Sequence, residues 1–110
     1  HPHNSNMTTI IIYTTNPNQE EADKIANHLL KKRLIACVNH MPSKSSFWWK
    51  ENIENQDEII SIFKTKSENW EEIKKEIKDL HKYETPCIIK INIEANKDYM
   101  NWINKETEKF

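Results

Sequence analysis

Residues 8–15 are β-branched and aromatic, with Ile10, Ile11 and Ile12 in a row. A continuous apolar run of this kind predicts a central strand covered on at least one face. It stops at Asn16-Pro17. Asn16 is placed to cap a helix, Pro17 suits its first turn, and Gln19 completes a capping-box spacing. Ala22, Ile25, Ala26, Leu29 and Leu30 then recur at helical spacing, the stripe of an amphipathic helix. Glu20 and Glu21 lie near its positive end, and Lys31, Lys32 and Arg33 near its negative end, as the helix dipole favours.

A second strand is predicted over residues 35–41. Pro42 interrupts it and argues for a sheet edge or a bulge. A Ser/Lys stretch leads to Phe47-Trp48-Trp49; residues 50–57 are polar and read as a hairpin turn. Ile59, Ile60, Ile62 and Phe63 form a third strand. Ser67 is placed to cap a second helix with Trp70, Ile73, Ile77 and Leu80 as its buried stripe. The string His81-Lys82-Tyr83-Glu84-Thr85-Pro86 breaks that helix. Pro86 opens a fourth strand, in which Ile89, Ile91 and Ile93 alternate with Lys90 and Asn92. Asn96 starts a terminal helix with Tyr99, Trp102, Ile103 and Phe110 on one side.

The order amounts to βαβ twice. The simplest assembly is an α+β, ferredoxin-like βαββαβ sandwich with an additional C-terminal helix. Its first and third strands are central, and one sheet face lacks helices. Strand residues on both faces include Ile, Phe and Trp, so a lone chain exposes an apolar patch on the order of several hundred Å². Self-association is the simplest remedy. Residues 7–110 form this single domain, and residues 1–6, polar and aperiodic, read as an appended or frayed leader before Met7.

Composition narrows the function. The chain has 110 residues, 16 basic and 17 acidic, for a net charge of -1. That balance does not favour a general grip on nucleic acid or an anionic membrane. No stretch approaches the roughly 20 apolar residues that span a bilayer. Gly is absent. Without it there is no dinucleotide loop, Walker A loop or RNP1 string, each of which needs Gly where backbone meets ligand. Cys37 and Cys87 sit inside apolar runs and read as reduced, buried thiols of a cytoplasmic protein, although spacing alone also permits one disulfide.

Five strings appear in order: Ala36-Cys37-Val38-Asn39, Ser45-Ser46-Phe47-Trp48-Trp49, Phe63-Lys64-Thr65, His81-Lys82-Tyr83-Glu84-Thr85-Pro86 and Asp98-Tyr99-Met100-Asn101-Trp102-Ile103. Together they resemble the CutA divalent-cation-tolerance family along essentially the whole chain after Met7. The resemblance implies a ferredoxin-like protomer in a homotrimer resembling the PII signalling proteins, with sheets joined edge to edge. It implies tolerance to copper and other divalent cations, and no firmly attached enzymatic reaction. It also implies small-ligand sensing at clefts between subunits, lined chiefly by Cys37, Trp49, Lys64, His81, Tyr83 and Glu84. Three positions depart from the family pattern: Lys82 replaces the usual Pro, Cys87 the usual Glu, and Glu51-Asn52 the usual Gly-Lys. In some bacterial relatives a copper site uses a Cys and two adjacent His. Those positions match Thr14, Leu80 and His81 here, and only His81 keeps the ligand.

His81, Tyr83, Glu84 and Cys87 cluster where a helix ends and a strand begins. Imidazole, carboxylate and thiolate together suit Cu(II) or another divalent cation, though no metal is required by the fold. The alternative is a plain helix-ending loop with His on the dipole. Cys37 is a weaker metal candidate, because His40, three residues on, faces the other side of a strand. Trp48 and Trp49, being adjacent, point to opposite faces; Trp70 and Trp102 read as core. Lys64 is placed to enter an inter-subunit cleft with Glu84 or to end a solvated strand. Three competing functions are set against the sensor. An RNA-binding module would stack bases on Tyr13 and Phe63. An acylphosphatase-like enzyme needs a positioned Arg, and the chain offers only Arg33. A scaffold would present the trimer to an unknown partner protein.

Overall fold

The structure is a computed structural model, and it describes residues 8–108. The leader expected at residues 1–6, Met7 and Phe110 lie outside the described residues. The elements are β1 (Thr9–Asn16), α1 (Gln19–Lys31), β2 (Cys37–Trp49), β3 (Asn52–Lys66), a 3-10 turn (Ser67–Asn69), α2 (Trp70–Leu80), β4 (Ile88–Ile93) and α3 (Lys97–Glu106). The four strands make one antiparallel sheet in the order β2-β3-β1-β4. This is the expected βαββαβ arrangement, with β1 and β3 central and Pro42 on an edge strand.

Side chains alternate across the sheet. Ile10, Ile12 and Phe63 point to the face covered by α1 and α2. There they pack with Ile25, Ala26, Leu29, Leu34, Ile35, Ile73 and Ile77 into one core. Val38, Leu80 and Ile88 seal its margin. Several buried polar groups on this face are paired: Asn16 Nδ2 donates to the Ile59 carbonyl (3.0 Å) and to Ser61 Oγ (2.9 Å), while Thr14 Oγ1 and Asn16 Oδ1 find no partner. Asn69 Nδ2 and Thr65 Oγ1 both donate to the Leu34 carbonyl, at 3.0 and 2.6 Å. The opposite face is only partly covered, by α3 over one end. Lys64, on that face beside Cys37 in the β2–β3 register, lies with Nζ 5.6 Å from the Tyr99 ring centre.

Several expectations are corrected. Asn18, not Asn16, caps α1, its Oδ1 accepting from Glu21 N–H at 2.9 Å; Asn16 still belongs to β1. Ser67 opens a 3-10 turn with no side-chain cap on it or on α2. The polar residues 52–57 are not a turn but the first half of β3. β2 continues through Pro42 to Trp49, paired in register down to Trp49↔Asn52. The turn is Lys50-Glu51 alone, both at positive φ (49° and 69°), the geometry of a primed two-residue hairpin. A polar strand escaped notice because neither of its faces is buried. Because β1 pairs with β3 only from Ile59 to Lys66, the β2–β3 ribbon beyond that point projects as an arm. The chain measures 53 × 24 × 21 Å as a result.

The tryptophans differ too. Trp70 is half-buried at the core margin under the ammonium groups of Lys74 and Lys90, and Trp102 is 41% exposed, stacked on Tyr99 at 5.5 Å. Both sit on helical stripes, and Trp70 does pack against the core, whereas Trp102 keeps much of its ring in solvent. Trp48 and Trp49 do face opposite ways. Both are exposed, as are Phe47 and Ile53. The two cysteines are free thiols and half-buried rather than buried.

Candidate functional site

The second half of the site string is built by the end of α2. The helix stops at Leu80, the His81 N–H still donating to the Ile77 carbonyl (2.9 Å) while His81 itself turns extended. Pro86, five residues on, cannot continue a helix. The intervening loop is clamped to β1 by the His81 ring. Nε2 lies 2.7 Å from the Thr15 carbonyl, and Nδ1 accepts from the Tyr83 N–H at 3.0 Å. A carbonyl only accepts, so the ring carries its proton on Nε2. Both nitrogens are thereby engaged. A metal at His81 has to displace one of these bonds.

The clamp orients Tyr83, whose ring tilts over the imidazole at 4.8 Å. The phenol reaches the open face of β3. Its O–H donates to Glu58 Oε2 at 2.5 Å and accepts from Gln56 Nε2 at 2.6 Å. Burial, reinforced by the Glu58 charge, pushes the Tyr83 phenol well above its usual range. The same two causes push the Cys87 thiol up, favouring its protonated form. Glu58 is only 7% exposed. Among the described residues no Lys, Arg or His forms an ion pair with it. A buried carboxylate with one donor and no counter-charge is costly unless something outside the chain completes it.

The sequence candidates therefore divide. His81 holds Tyr83, which bonds Glu58, and Cys87 feels the Glu58 charge; Glu58 is a residue that sequence reasoning missed. The signal for it was a lone Glu at the join between a polar run and Ile59-Ile60, two residues from Gln56 on the same strand face. Glu84 is exposed on the loop. Trp49 sits at the arm tip under the Lys50 ammonium (5.5 Å), and Lys64 and Cys37 lie near the other end of the sheet with α3. Within one chain these are separate places. Among the described residues no three of His, Cys, Asp and Glu converge as a metal site. Thr14 is fully buried and Leu80 packs on the core, so the copper positions of some bacterial relatives offer no second ligand beside His81.

Two of the competing readings each lose one named residue. Phe63 is wholly buried under the helices, where no base can stack on it. Arg33 Nη1 donates to the Glu106 carbonyl (3.1 Å) and to Glu106 Oε1 (3.0 Å), holding α3 rather than presenting a cation to an anion.

The family of the CutA1 divalent ion tolerance protein matches residues 10–106. The divalent-cation tolerance protein CutA of Pyrococcus horikoshii is 46% identical over 101 residues, covering 91% of this chain and 99% of that protein. Its counterpart from Archaeoglobus fulgidus is 48% identical over 98 residues, covering 88% and 96%. A solved structure from A. fulgidus, described as a periplasmic divalent cation tolerance protein, superposes with a TM-score of 0.88 at 46% identity over 91% of this chain and 99% of that one. Rice CutA1 does so at 0.90 with 28% identity, covering 96% and 99%. No helix among the described residues is long and apolar enough to cross a membrane.

Proposed function

The chain belongs to the CutA1 divalent ion tolerance family, and on that premise we propose that it serves divalent-cation tolerance as a cytoplasmic, non-enzymatic homotrimer. Its inter-subunit clefts take up a divalent cation such as Cu(II), or a small ligand in the manner of PII-like sensors. The observation that carries this reading is the arm. Phe47, Trp49 and Ile53 stand exposed with Trp48, which is 72% exposed, on a ribbon that its own chain does not cover. A solvated ribbon of this kind is marginal alone and invites a second copy.

Assembly also supplies what one chain lacks for a metal. Three protein ligands have to come from more than one copy, because they do not converge within one. Cys37, Cys87 and His81 are the candidate ligands, with Trp49, Lys64, Tyr83 and Glu84 lining the cleft. Light scattering at micromolar concentration is expected to give three times the chain mass; a single-chain mass overturns the trimer. Calorimetric titration with Cu(II) is expected to show binding that weakens at least tenfold in His81→Ala or in Cys37→Ser/Cys87→Ser. Unchanged affinity in both variants removes metal from these residues.

A further inference from the structure

The open face of β3 carries one continuous column: Glu58, Ile60, Ile62 and Lys64 point the same way. Its ends are oppositely charged and its middle is apolar. Glu58, at one end, is buried with a single hydrogen-bond donor and no cation. Lys64, at the other, is half-buried and makes no ion pair among the described residues, only its contact with the Tyr99 ring. Six residues of strand separate them, about 20 Å at the usual rise, so the two cannot meet within a chain. Met41 of β2, opposite Ile60, is exposed beside this column, and Ile89 and Ile91 of β4, beyond β1, are exposed on the same face, which makes that face broadly apolar.

A strip that is negative at one end, apolar in the centre and positive at the other is complementary to a copy of itself. We infer that Glu58 of one copy receives the Lys64 ammonium of another, so that each inter-subunit cleft is closed by a Lys64–Glu58–Tyr83 bridge supplied by two chains. The partner is a second copy of this chain, and this inference rests on the self-associating reading above. When each copy gives its two ends to two different neighbours the pairing is heterologous, and such a contact makes a ring where the rotation closes. The bridge answers the cost at both ends. The ammonium neutralises a carboxylate that the Tyr83 hydroxyl alone does not satisfy. The carboxylate fixes a long side chain that otherwise rests only on an aromatic face. The Tyr83 hydrogen bond leaves Oε1 of Glu58 for the incoming charge, and Gln56 holds the phenol in place from the far side.

The test uses Glu58→Gln, Lys64→Gln and the double variant. Gln at position 58 keeps an acceptor for Tyr83, so the loop stays anchored while the charge is lost. Dilution series read by light scattering are expected to show each single substitution raising the dissociation midpoint at least tenfold. The double variant is expected to be no worse than the poorer single one, because both break the same bond. A second readout does not depend on stability. Chains carrying Glu58→Cys and chains carrying Lys64→Cys, each in a Cys37→Ser/Cys87→Ser background, are mixed and treated with a short bismaleimide. A covalent dimer is expected from the mixture and not from either chain alone. An assembly that persists while the single effects add, or that gives no mixed dimer, overturns the bridge and leaves self-association standing. A wild-type chain that stays single at micromolar concentration overturns both.

Discussion

The body of this molecule and its arm share two strands, β2 and β3, yet they obey different rules. Where β3 lies against β1, the helix face is dry: Ile10, Ile12, Phe63, Ile73 and Ile77 are wholly inaccessible to solvent. Each such side chain is worth roughly 1.5–3 kcal/mol against leaving it wet. Where β3 has passed the end of β1, it pairs with β2 alone, and beyond the Tyr83 bonds to Glu58 and Gln56 ladder hydrogen bonds and surface pairs hold it. Ser46–Asn55 at 2.6 Å and Lys44–Asp57 at 3.1 Å are examples, and exposed pairs of this sort contribute little. The difference teaches that one chain completes its own core but not its own hairpin. Stability of the body is a property of the chain. The arm rests mainly on its own two-stranded ladder.

Truncation should separate the two regions most sharply. Phe63→Ala is expected to cost about 3–5 kcal/mol in urea unfolding, whatever the protein concentration. Trp48→Ala is expected to shift the unfolding of the isolated chain by less than about 0.5 kcal/mol while weakening association in a dilution series. Equal effects of the two on chain unfolding break the comparison.

The arm's turn offers a smaller, opposite effect. Lys50 and Glu51 hold left-handed backbone that costs a residue with a Cβ about 1–2 kcal/mol. Exchanging them for Asn-Gly is expected to stabilise the hairpin by about 1 kcal/mol, read as a higher urea midpoint for the assembled protein.

The smallest effect lies between the helices. Glu76 accepts from His28 Nε2 (2.6 Å) and from Lys32 Nζ (3.0 Å), and these bonds hold its carboxyl below the usual carboxylate range. A lowered folded value means that stabilisation is present above the unfolded value near 4.5 and disappears as pH falls through the folded one. Glu76→Gln is therefore expected to be slightly less stable than wild type at neutral pH and equal to it in acid, by urea midpoints across the range.

Most of the body was legible from residues. The stripes of α1 and α2, the apolar run of β1, and Pro86 ahead of β4 report burial directly, because burial imposes periodicity. The outer half of β3 left no such trace. Asn52 to Asp57 have no dry face, so nothing makes their polarity alternate. Trp102 misled for the converse reason: its helical spacing is real, but the ring stacks on Tyr99 and stays 41% exposed. In the candidate site His81 and Tyr83 stood out, since a His and a Tyr at a helix break invite chemistry. Glu58 did not. Its significance depends on a loop 25 residues later bringing a phenol to it, which spacing along a strand cannot foretell.

The overhanging ribbon also alters how the protein behaves in flow. A body with one axis more than twice the others drags more solvent than a sphere of equal weight. A lone chain would leave a sizing column early, at a position suited to a heavier globule. Elution volume is therefore a poor guide to the number of copies travelling together.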